Sequence, residues 1–349
     1  MRNILDFTLD ELRTTFVEEL SEPRYRADQV WRWLWRSLAH DFACMTNVSV
    51  KTRERLAEEF TITWPRVVTI QKAQDSTTKF LLELDDGARV ETVLIPSTDH
   101  LGKTRWSQCL STQVGCPMAC TFCATGQLGF ERNMSMGEML GQLLVGRDYV
   151  QDLAPEHPII KNVVFMGMGE PLLNCDNLIR ALFVLNDPHG LGFSPRRITV
   201  STCGIPAGLT RLGETGLCYL ALSLHAPNQS IREQIMPKAA QTSLNTLLAH
   251  LRSYPVKPRE HITFEYLLLR GVNDELHHAR ELAKIVNAQN GKLNLIVYNK
   301  TSHARYEPPE PERVLAFEQE LWKHHVTATL RASKGQDIDA ACGQLRARS

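Results

Sequence analysis

Three cysteines lie within the eight positions 116–123, and no other feature restricts so strongly what this chain can fold into. Cys116, Cys120 and Cys123 follow an apolar, strand-like stretch with the spacing C-x3-C-x2-C. Three neighbouring thiolates can hold three corners of a cubane iron–sulfur cluster, whose usual complement is four cysteines. If no fourth ligand follows, one iron keeps an open coordination position for a reacting molecule. The spacing therefore favours a reactive iron–sulfur cluster.

Two other interpretations of these cysteines stay open at this point. Structural zinc also uses thiolates, but its sites are normally closed by four ligands, typically built from short C-x2-C pairs. Unliganded cysteine often packs in a core as a small hydrophobic residue. The spacing favours the cluster over zinc, and zinc over inert cysteines.

Length and composition predict a protein with a large core. The chain has 349 residues, of which 43% are apolar, enough for more than one domain. No apolar stretch is long enough to span a bilayer, and the N-terminus lacks a basic and then apolar signal segment. Nine cysteines, three of them clustered, suit a reducing compartment better than a disulfide scaffold. We expect a soluble cytoplasmic protein without a membrane partner.

The overall charge does not indicate a polyanionic partner. Lys plus Arg and Asp plus Glu both number 39, so binding to RNA would need local basic patches. The candidate patches are Lys103 with Arg105, Arg196 with Arg197, Arg346 with Arg348, and Arg132, whose charge is offset by Glu131. Each can equally be ordinary solvated surface, so the patches alone do not predict RNA binding.

Residues 1–60 are predicted to form an N-terminal helical accessory domain. Thr8-Leu-Asp-Glu11 has the capping-box pattern that begins a helix. A second helix is predicted over Arg26–Ser37, which carries Trp31, Trp33 and Trp35. Core packing is the expected role of at least two of these tryptophans. An RNA-contacting domain would instead use aromatic side chains to stack on exposed bases.

Residues 61–98 are predicted to form a small β sheet that links this domain to the rest of the chain. The strands expected there are Arg66–Gln71, Lys79–Leu84 and Arg89–Ile95. Asp86-Gly87 favours a hairpin turn between the second strand and the third.

From residue 99 to residue 333, apolar β-rich runs alternate with helical patterns. Strands are predicted at Gln108–Thr112, Asn162–Met166, Arg197–Ser201, Cys218–Leu224, Ile262–Leu268, Leu293–Tyr298 and Thr327–Arg331. Helices are predicted at Gly137–Val150, Asn177–Asn186, Ser243–Ser253, Leu276–Asn290 and Pro311–His324. This alternation favours an α/β fold with right-handed βαβ units and a parallel sheet.

The carboxyl ends of several predicted strands carry small or polar residues. These are Gly167–Glu170, Ser201, Ser223–His225 and Asn299. Barrels of alternating strands and helices place their active sites at this edge. Gly167 and Gly169 could let the backbone pass close to a ligand. Taken together, the strand ends predict a ligand pocket.

The cysteine motif resembles the signature of radical S-adenosylmethionine enzymes. The wider blocks Cys109–Gly126, Gly129–Asn133, Phe165–Asn174, Leu222–Asn228 and Gly335–Leu345 resemble one branch of that superfamily. That branch is the RlmN/Cfr family, which methylates adenine carbons in RNA. The blocks occur in the family's order and cover most of the chain from about Glu91 onward.

The resemblance implies a fold and a set of cofactors. The fold would be a partial (β/α)6 barrel over residues 99–333, followed by a C-terminal segment, 334–349, that carries a methyl-accepting cysteine. Cys116, Cys120 and Cys123 would hold a [4Fe-4S] cluster. Two S-adenosylmethionine molecules would be used per turnover, one as methyl donor and one as radical source.

The resemblance also implies which residues contact S-adenosylmethionine. Gly169 and Glu170 would bind its amino group, and Ser201 its ribose. Ser223, Leu224 and His225 would line the same pocket, and Asn299 would lie near the adenosyl end.

Two further cysteines are implied to carry the methyl transfer. Cys342 would accept a methyl group as a thiolate nucleophile. A 5′-deoxyadenosyl radical would then activate that methyl group for addition to the base. Cys109 would release the product by forming a disulfide with Cys342, and Glu91 would accept a proton. The alternative is that Cys109 and Cys342 are buried spectators. Cys44, Cys175, Cys203 and Cys218 match no motif cysteine and are assigned to packing.

Two activities within the family compete. One methylates carbon 2 of an adenosine in 23S rRNA and in tRNA anticodon loops, and the other methylates carbon 8 and gives antibiotic resistance. Pro171 resembles the carbon 2 branch, which is the preferred interpretation. The implied partners are 23S rRNA, tRNA and a low-potential electron donor such as flavodoxin or ferredoxin, with a monomeric protein. A non-catalytic iron–sulfur or zinc RNA-binding module is the remaining alternative, but mere binding needs neither Cys109 nor Cys342.

Overall fold

The computed structural model describes residues 1–98, 102–153, 160–258, 260–300 and 305–347. Its order along the chain is a helical N-terminal region, three antiparallel strands, and a β/α region with a C-terminal segment. Among the described residues, no helix is long and apolar enough to cross a membrane.

The N-terminal region contains three helices and a short parallel strand pair. The helices are α1 (Leu9–Glu18), α2 (Arg24–Trp35) and α3 (Val50–Glu59), and the strands are β1 (Arg2–Asn3) and β2 (Phe60–Thr61). The predicted capping box is confirmed, because Glu11 N donates to Thr8 Oγ1 and Glu11 Oε2 accepts from Thr8 N at 2.7 Å. Trp31 and Trp35 are buried and pack edge to face, as predicted for two of the three tryptophans.

The three predicted linker strands are present as an antiparallel meander. They are β3 (Arg66–Lys72), β4 (Thr78–Glu83) and β5 (Arg89–Thr98). Gly87 forms the turn before β5 with φ of +85°, a conformation that favours glycine. The meander is not a separate sheet, because β5 pairs antiparallel with the first strand of the β/α region.

The β/α region contains the remaining strands. These are β6 (Thr104–Cys109), β7 (Gln113–Gly115), β8 (Phe130–Asn133), β9 (Ile160–Phe165), β10 (Ile198–Thr202), β11 (Tyr219–Ser223), β12 (Thr263–Leu268), β13 (Lys292–Val297) and β14 (Ala328–Arg331). The ten-stranded sheet has the order β14-β13-β12-β11-β10-β9-β6-β5-β4-β3. From β6 to β14 its strands are parallel, whereas β7 and β8 form a separate antiparallel pair. β14 adds a strand to the six-stranded fragment that the resemblance implies.

Eight helices connect or follow these strands in the described part of this region. They are α4 (Ala124–Leu128), α5 (Met136–Leu153), α6 (Cys175–Asn186), α7 (Pro206–Thr215), α8 (Gln229–Ile235), α9 (Leu244–Arg252), α10 (Leu276–Ala288) and α11 (Pro311–Lys323). The five predicted helices are confirmed within a few residues. Helix α7 was missed because its glycines weaken the helical pattern; a Cβ at Gly208 would lie 2.7 Å from Leu172 Cβ.

The first predicted strand of this region is displaced from the observed one. Gln108–Thr112 was predicted, but β6 ends at Cys109, after which Leu110 N donates to Val164 O and Thr112 N to Met168 O, both at 2.8 Å. Residues 110–112 are buried but do not belong to a strand, so the predicted strand extends beyond the observed one at its carboxyl end.

One hydrophobic core extends from the N-terminal helices into the sheet, from Ile4 to Leu345. Polar contacts add to this junction. Gly137 N donates to Asp6 Oδ1 at 2.7 Å, and Arg180 forms an ion pair with Glu11 at 2.6 Å. The N-terminal helices are therefore attached to α5 and α6, on the outside of the parallel sheet.

Candidate active site

A cavity opens at the carboxyl ends of the parallel strands, as the sequence predicted. Cys109, Thr202 and Ser223, the last residues of β6, β10 and β11, all line it. Five other cysteines line the same cavity: Cys116, Cys120, Cys123, Cys203 and Cys342. The described chain thus concentrates thiols at the edge of the sheet where a barrel of this type binds its ligands.

The three motif cysteines lie on a loop between β7 and α4 whose backbone is fixed at both ends. Cys116 N donates to Gly129 O at 2.7 Å, and Cys123 N donates to Cys120 O at 3.1 Å. Gly115 precedes the loop with φ of +73°, and a Cβ there would lie 2.0 Å from Gly129 O. Only glycine permits this close contact between the backbone of residue 115 and Gly129 O, so Gly115 determines where the loop begins.

The surroundings of the motif thiols disfavour thiolates in the protein alone. Burial raises the pKa of Cys116 to about 12 and also raises the pKa values of Cys120 and Cys123. The charge of a neighbouring Cys123 thiolate would raise the first two further. A bound metal centre reverses this balance, because it stabilises a coordinating thiolate directly.

The donor set fits an iron–sulfur cluster. Among the described residues, no three His, Cys, Asp or Glu side chains are close enough together to hold one metal ion. A cubane does not require such convergence, because its thiolates bind at separate corners. The three motif thiols around one cavity are therefore suited to three corners of such a cluster.

Glu170 lines the cavity and is held by several hydrogen bonds. Its Oε1 accepts from Thr202 Oγ1 at 2.6 Å and from Leu172 N at 3.0 Å, and its Oε2 accepts from Cys203 N at 2.9 Å. Burial raises the pKa of Glu170, and these hydrogen bonds oppose the rise. The thiol of Cys203 also hydrogen-bonds to this carboxylate. A carboxylate is an acceptor only, so Glu170 is suited to a donor such as an ammonium group.

Two predicted serines lie side by side in the wall. Ser201 Oγ is 3.2 Å from Ser223 Oγ, because their strands, β10 and β11, are neighbours in the sheet. Both serines line the cavity. Adjacent hydroxyl groups can each bond one oxygen of a vicinal diol, so the pair is suited to a ribose.

His225 also lines the cavity, in a neutral form. Its Nδ1 accepts a hydrogen bond from Leu267 N at 3.1 Å, which places the ring proton on Nε2. Burial lowers the pKa of His225 to about 3, and the charge of Arg232 lowers it further. Phe122 packs edge-on against the ring. His225 is therefore a fixed, uncharged part of the wall.

Leu224 and Asn299 are the two predicted S-adenosylmethionine contacts that do not belong to the cavity lining. Leu224 is fully buried, and its N donates to Glu265 O at 3.1 Å. Asn299 is 8% exposed, and its buried Nδ2 has no partner among the described residues. The structure brings the other five predicted contacts together and leaves these two behind the wall.

The two glycines after β9 are required by packing within the protein. Gly167 and Gly169 do line the cavity. However, a Cβ at Gly167 would lie 2.6 Å from Ser111 Oγ, and a Cβ at Gly169, where φ is +101°, would lie 2.6 Å from Gln113 Cβ. A close approach that requires glycine is therefore made to the protein segment after β6, and the passage of this backbone close to a ligand stays a prediction.

Cys109 and Cys342 face the same cavity as free thiols. Burial raises the pKa of Cys109 to about 12, and the nearby Cys342 raises it further. Cys342 is exposed into the cavity, and the surrounding protein atoms raise its pKa as well. The charge of Arg331, another lining residue, lowers both pKa values. The fold thus brings together two cysteines that are far apart in the chain.

Glu91 lies beside the cavity, under the C-terminal segment, and is not one of its lining residues. It is buried in β5, with Oε1 3.2 Å from Lys79 Nζ and Oε2 accepting from Arg346 N at 2.6 Å. Lys79 Nζ also donates to Asp339 O at 3.3 Å. The carboxylate predicted as proton acceptor therefore holds, directly and through Lys79, the backbone on both sides of Cys342.

Comparisons with known proteins agree with this arrangement. Residues 2–62 match the model of the ribosomal RNA large subunit methyltransferase N-terminal domain, and residues 110–283 match that of the radical SAM superfamily. The dual-specificity RNA methyltransferase RlmN of Nitratidesulfovibrio vulgaris is 62% identical over 347 residues, which are 99% of this chain and 95% of that protein. The RlmN of Oleidesulfovibrio alaskensis is 60% identical over 350 residues, covering 99% of this chain and 96% of that protein.

The chain belongs to the RlmN family.

A solved structure supports the same conclusion for the fold. The crystal structure of a radical SAM methyltransferase from Sphaerobacter thermophilus superposes with a TM-score of 0.92 at 38% identity, over 100% of both chains. The expected α/β radical SAM fold and the family resemblance are both confirmed. The family's radical SAM match starts at Leu110, directly after Cys109, and includes the three-cysteine motif.

The candidate basic patches lie at different places relative to the cavity. Lys103 with Arg105, and Arg196 with Arg197, lie at the amino ends of β6 and β10, the opposite edge of the sheet. Arg132 forms ion pairs with Asp86 at 2.6 Å and Glu138 at 2.8 Å. Arg346 lies beside Glu91. Arg348 is outside the described residues.

Several residues of the site were not found from the sequence. Cys203 was assigned to packing but lines the cavity, and Lys79 and Arg232 carried no recognisable motif. Glu265 could have been noticed, because it is a lone charge inside an otherwise apolar predicted strand. Its Oε1 accepts from Asn294 Nδ2 at 2.8 Å, whereas its buried Oε2 has no partner among the described residues.

Proposed function

We propose that this protein methylates carbon 2 of an adenosine in 23S rRNA, and of the corresponding adenosine in tRNA anticodon loops, with S-adenosylmethionine as methyl donor. The observation that carries the proposal is the meeting of Cys109 and Cys342 in the cavity of the three-cysteine motif. Mere RNA binding, the non-catalytic alternative, gives no reason for two further free thiols at that position.

The chemistry explains why a second cysteine pair is needed. Carbon 2 of adenine is a poor nucleophile, so direct attack on a sulfonium methyl group fails and the methyl group must first be held elsewhere. Cys342 takes it as a thiolate, which displaces the sulfonium sulfur and becomes a thioether. The charge of Arg331 favours that thiolate.

The three motif cysteines would hold the [4Fe-4S] cluster, which when bound would supply the electron that cleaves a second S-adenosylmethionine. Glu170 would accept from the amino group of S-adenosylmethionine, and the hydroxyls of Ser201 and Ser223 would bond the ribose. Neutral His225 completes the wall without adding a charge. These residues would hold S-adenosylmethionine in the cavity that Cys342 also lines.

Cys109 and Glu91 complete the turnover. After the activated methyl group has joined carbon 2, the base is attached to the protein through the sulfur of Cys342. Glu91 accepts the proton that the base must lose. The adduct would give up its unpaired electron to the oxidised cluster. The thiolate of Cys109 then attacks that sulfur: the carbon–sulfur bond breaks as the Cys109–Cys342 disulfide forms, and the released carbon keeps the electron pair and takes up a proton to become the methyl group. External reductant is needed to return both thiols.

Carbon 2 is preferred over carbon 8 because of Pro171. This residue begins the turn Pro171–Asn174 directly after Glu170, and Leu172 N donates back to Glu170 Oε1. The turn is the part of the chain that resembles the carbon 2 branch. The curated relatives described above carry the RlmN name, which agrees with this preference. We propose further that the protein acts as a cytoplasmic monomer with flavodoxin or ferredoxin as electron donor.

The test is anaerobic reconstitution with iron and sulfide, followed by reaction with 23S rRNA and tRNA fragments. Mass spectrometry of the digested RNA should locate one added methyl group on carbon 2 of a single adenosine. Reactions without reductant, or without S-adenosylmethionine, are the matched controls and should give none. A methyl group on carbon 8, or reconstituted protein that never methylates either RNA, would contradict the proposal.

A further inference from the structure

Arg232 is a buried arginine beside the cysteine motif, and the steps above give it no role. It lies in α8 and is 0% exposed, which makes it one of the largest fully buried side chains of the described protein. Arginine keeps its charge in proteins. A charge removed from water is costly unless a partner of opposite charge compensates for it. Arg232 therefore needs an explanation.

No described carboxylate provides that partner. Arg232 Nη2 donates to Cys203 O at 2.7 Å, and Nη1 donates to Leu224 O at 3.5 Å and to Met236 Sδ at 4.0 Å, so all three acceptors are neutral. Its Nε is buried without a hydrogen-bond partner in the described part of the chain. Arg232 forms no ion pair with any described Asp or Glu, in contrast to Arg132, which pairs with Asp86 and Glu138.

The groups whose negative charge acts on the pKa of Arg232 are two thiols. Burial lowers the pKa of Arg232, and the charges of Cys203 and Cys120 act in the opposite direction. A backbone hydrogen bond also places α8 against the motif loop: Thr121 N, next to Cys120, donates to Ile235 O at 3.0 Å. Ile235 and Met236 pack in one apolar cluster with Cys116 and Met118. The guanidinium therefore lies behind the motif loop, and not in the cavity lining.

We propose that Arg232 is the fixed counter-charge of the three-cysteine cluster site, and that it raises the reduction potential of a cluster bound there. Three thiolates bring negative charge into this wall, and reduction by one electron from a low-potential donor adds one more. A nearby positive charge stabilises the more negative, reduced state. Net charge, hydrogen bonding and solvent exposure are the factors that set such potentials. The proposal rests on the cluster site proposed above.

The experiment compares the reconstituted wild-type protein with R232Q, R232K and R147Q. Gln keeps a donor for the backbone carbonyls without the charge, and Lys keeps the charge without the planar fork. Arg147 is the matched control, because it is also largely buried and donates to a carbonyl, Trp35 O at 2.7 Å, but far from the motif at the N-terminal junction. The readouts are iron content and the reduction potential from a titration followed by electron paramagnetic resonance.

At a fixed potential, R232Q should show at least a tenfold lower ratio of reduced to oxidised cluster, which is 59 mV for a one-electron couple. R232K and R147Q should stay close to wild type. An R232Q protein that loads its cluster and keeps the wild-type potential would overturn the proposal. If the wild-type protein itself takes up no iron, the failure lies in the proposed cluster site and not in the role of Arg232.

A second measurement decides the case in which R232Q loads no cluster. The melting temperature of the iron-free proteins is then compared. Without the cluster, the buried charge of Arg232 has no negative partner and destabilises the folded protein. Iron-free R232Q should therefore be at least as stable as iron-free wild type. A clearly less stable iron-free R232Q would assign Arg232 to holding the carbonyls of Cys203 and Leu224 and would overturn the counter-charge role.

Discussion

Two walls of the cavity are attached to the fold by different kinds of contact. The motif wall, residues 116–123, is held by backbone hydrogen bonds such as Cys116 N to Gly129 O and Thr121 N to Ile235 O. The C-terminal wall, residues 335–347, is held largely by hydrogen bonds to distant segments in which one partner is a side chain. Each wall carries cysteines with a proposed role, but they are fixed in place in different ways.

The contacts of the C-terminal wall come mainly from the antiparallel meander and from α4. Gln74 N donates to Asp337 Oδ2 at 3.0 Å, and Gly335 N to Asp75 Oδ2 at 3.1 Å. Thr125 Oγ1 donates to Leu345 O, and Ala124 N to Gly343 O, both at 2.7 Å.

The difference corresponds to the work proposed for each wall. A cluster site needs cysteines in fixed positions, and buried backbone bonds with apolar packing provide that. Cys342 must meet in turn a methyl donor, a base and Cys109, so its segment needs attachment points that can be released separately. The linker strands therefore belong to the active site, because they hold its C-terminal wall.

The largest expected effect is on the motif wall. Cys120→Ala should abolish the brown absorbance of the reconstituted cluster and cleavage of S-adenosylmethionine, because three thiolates leave no spare ligand. Cys203→Ala is the matched control, since Cys203 is buried in the same cavity but lies outside the motif. The control should bind iron as wild type does. Full cleavage by the Cys120 variant would contradict the cluster assignment.

Removing the thiol of the C-terminal wall should abolish methyl transfer without affecting the cluster of the motif wall. Cys342→Ala should keep the cluster and still cleave S-adenosylmethionine, but no methyl group should reach protein or RNA. Iron analysis and mass spectrometry of both macromolecules provide the measurement. Cys44→Ala, which removes an exposed cysteine outside the site, should methylate normally. RNA methylation by the Cys342 variant would show that the methyl carrier lies elsewhere.

A smaller effect is expected from the contacts that attach the C-terminal wall. Lys79→Met leaves the buried carboxylate of Glu91 without its ion-pair partner, and losses of this kind cost about 3 kcal/mol. If the substitution weakens only this attachment, the full cost lowers the rate of RNA methylation. Because about 1.4 kcal/mol corresponds to a factor of ten, the rate should fall by roughly a hundredfold. The iron content should not change. Methylation rates and iron analysis test this.

Arg66→Met is the control for the Lys79 variant. It removes the exposed partner of Glu83 on the neighbouring strand pair of the meander, β3 and β4, where a loss below about 1 kcal/mol is expected. Equal losses of methylation in the two variants would mean that the meander does not act through the C-terminal wall.

The pH dependence of product release should reveal the buried state of Cys109. Because the pKa of Cys109 is raised to about 12, its thiolate fraction grows about tenfold per pH unit from pH 7 to pH 9. Release of RNA from a preformed adduct should accelerate by up to that factor. Single-turnover release measured across this range tests it; a rate independent of pH would mean that another group performs the release.

The sequence predicted those parts of the site that local patterns encode. The motif cysteines, Glu170 and the serines at the ends of β10 and β11 follow apolar runs, so their meeting at one edge of a parallel sheet could be foreseen. Lys79 could not, because its partner Asp339 lies 260 residues away in the chain. Its position at the start of an apolar strand looked like an ordinary strand boundary.

Arg232 shows a second limit of the sequence. It lies in α8, a helix of seven residues, too short for a periodic pattern to distinguish its buried face from its exposed one. An arginine followed by Glu233 and Gln234 suggests a solvated helix, whereas the packing of α8 against the motif loop buries it completely. Burial of this kind depends on tertiary packing and not on the local pattern.

The most direct test of the account is the Cys109→Ala variant, reconstituted and incubated with substrate RNA and S-adenosylmethionine. It keeps both the cluster ligands and Cys342 but lacks the thiol that releases the product. The account predicts a covalent protein–RNA adduct that survives denaturation and disappears on nuclease treatment. Normal turnover by this variant, with no adduct at any time, would contradict the proposed meeting of Cys109 and Cys342 in one reaction.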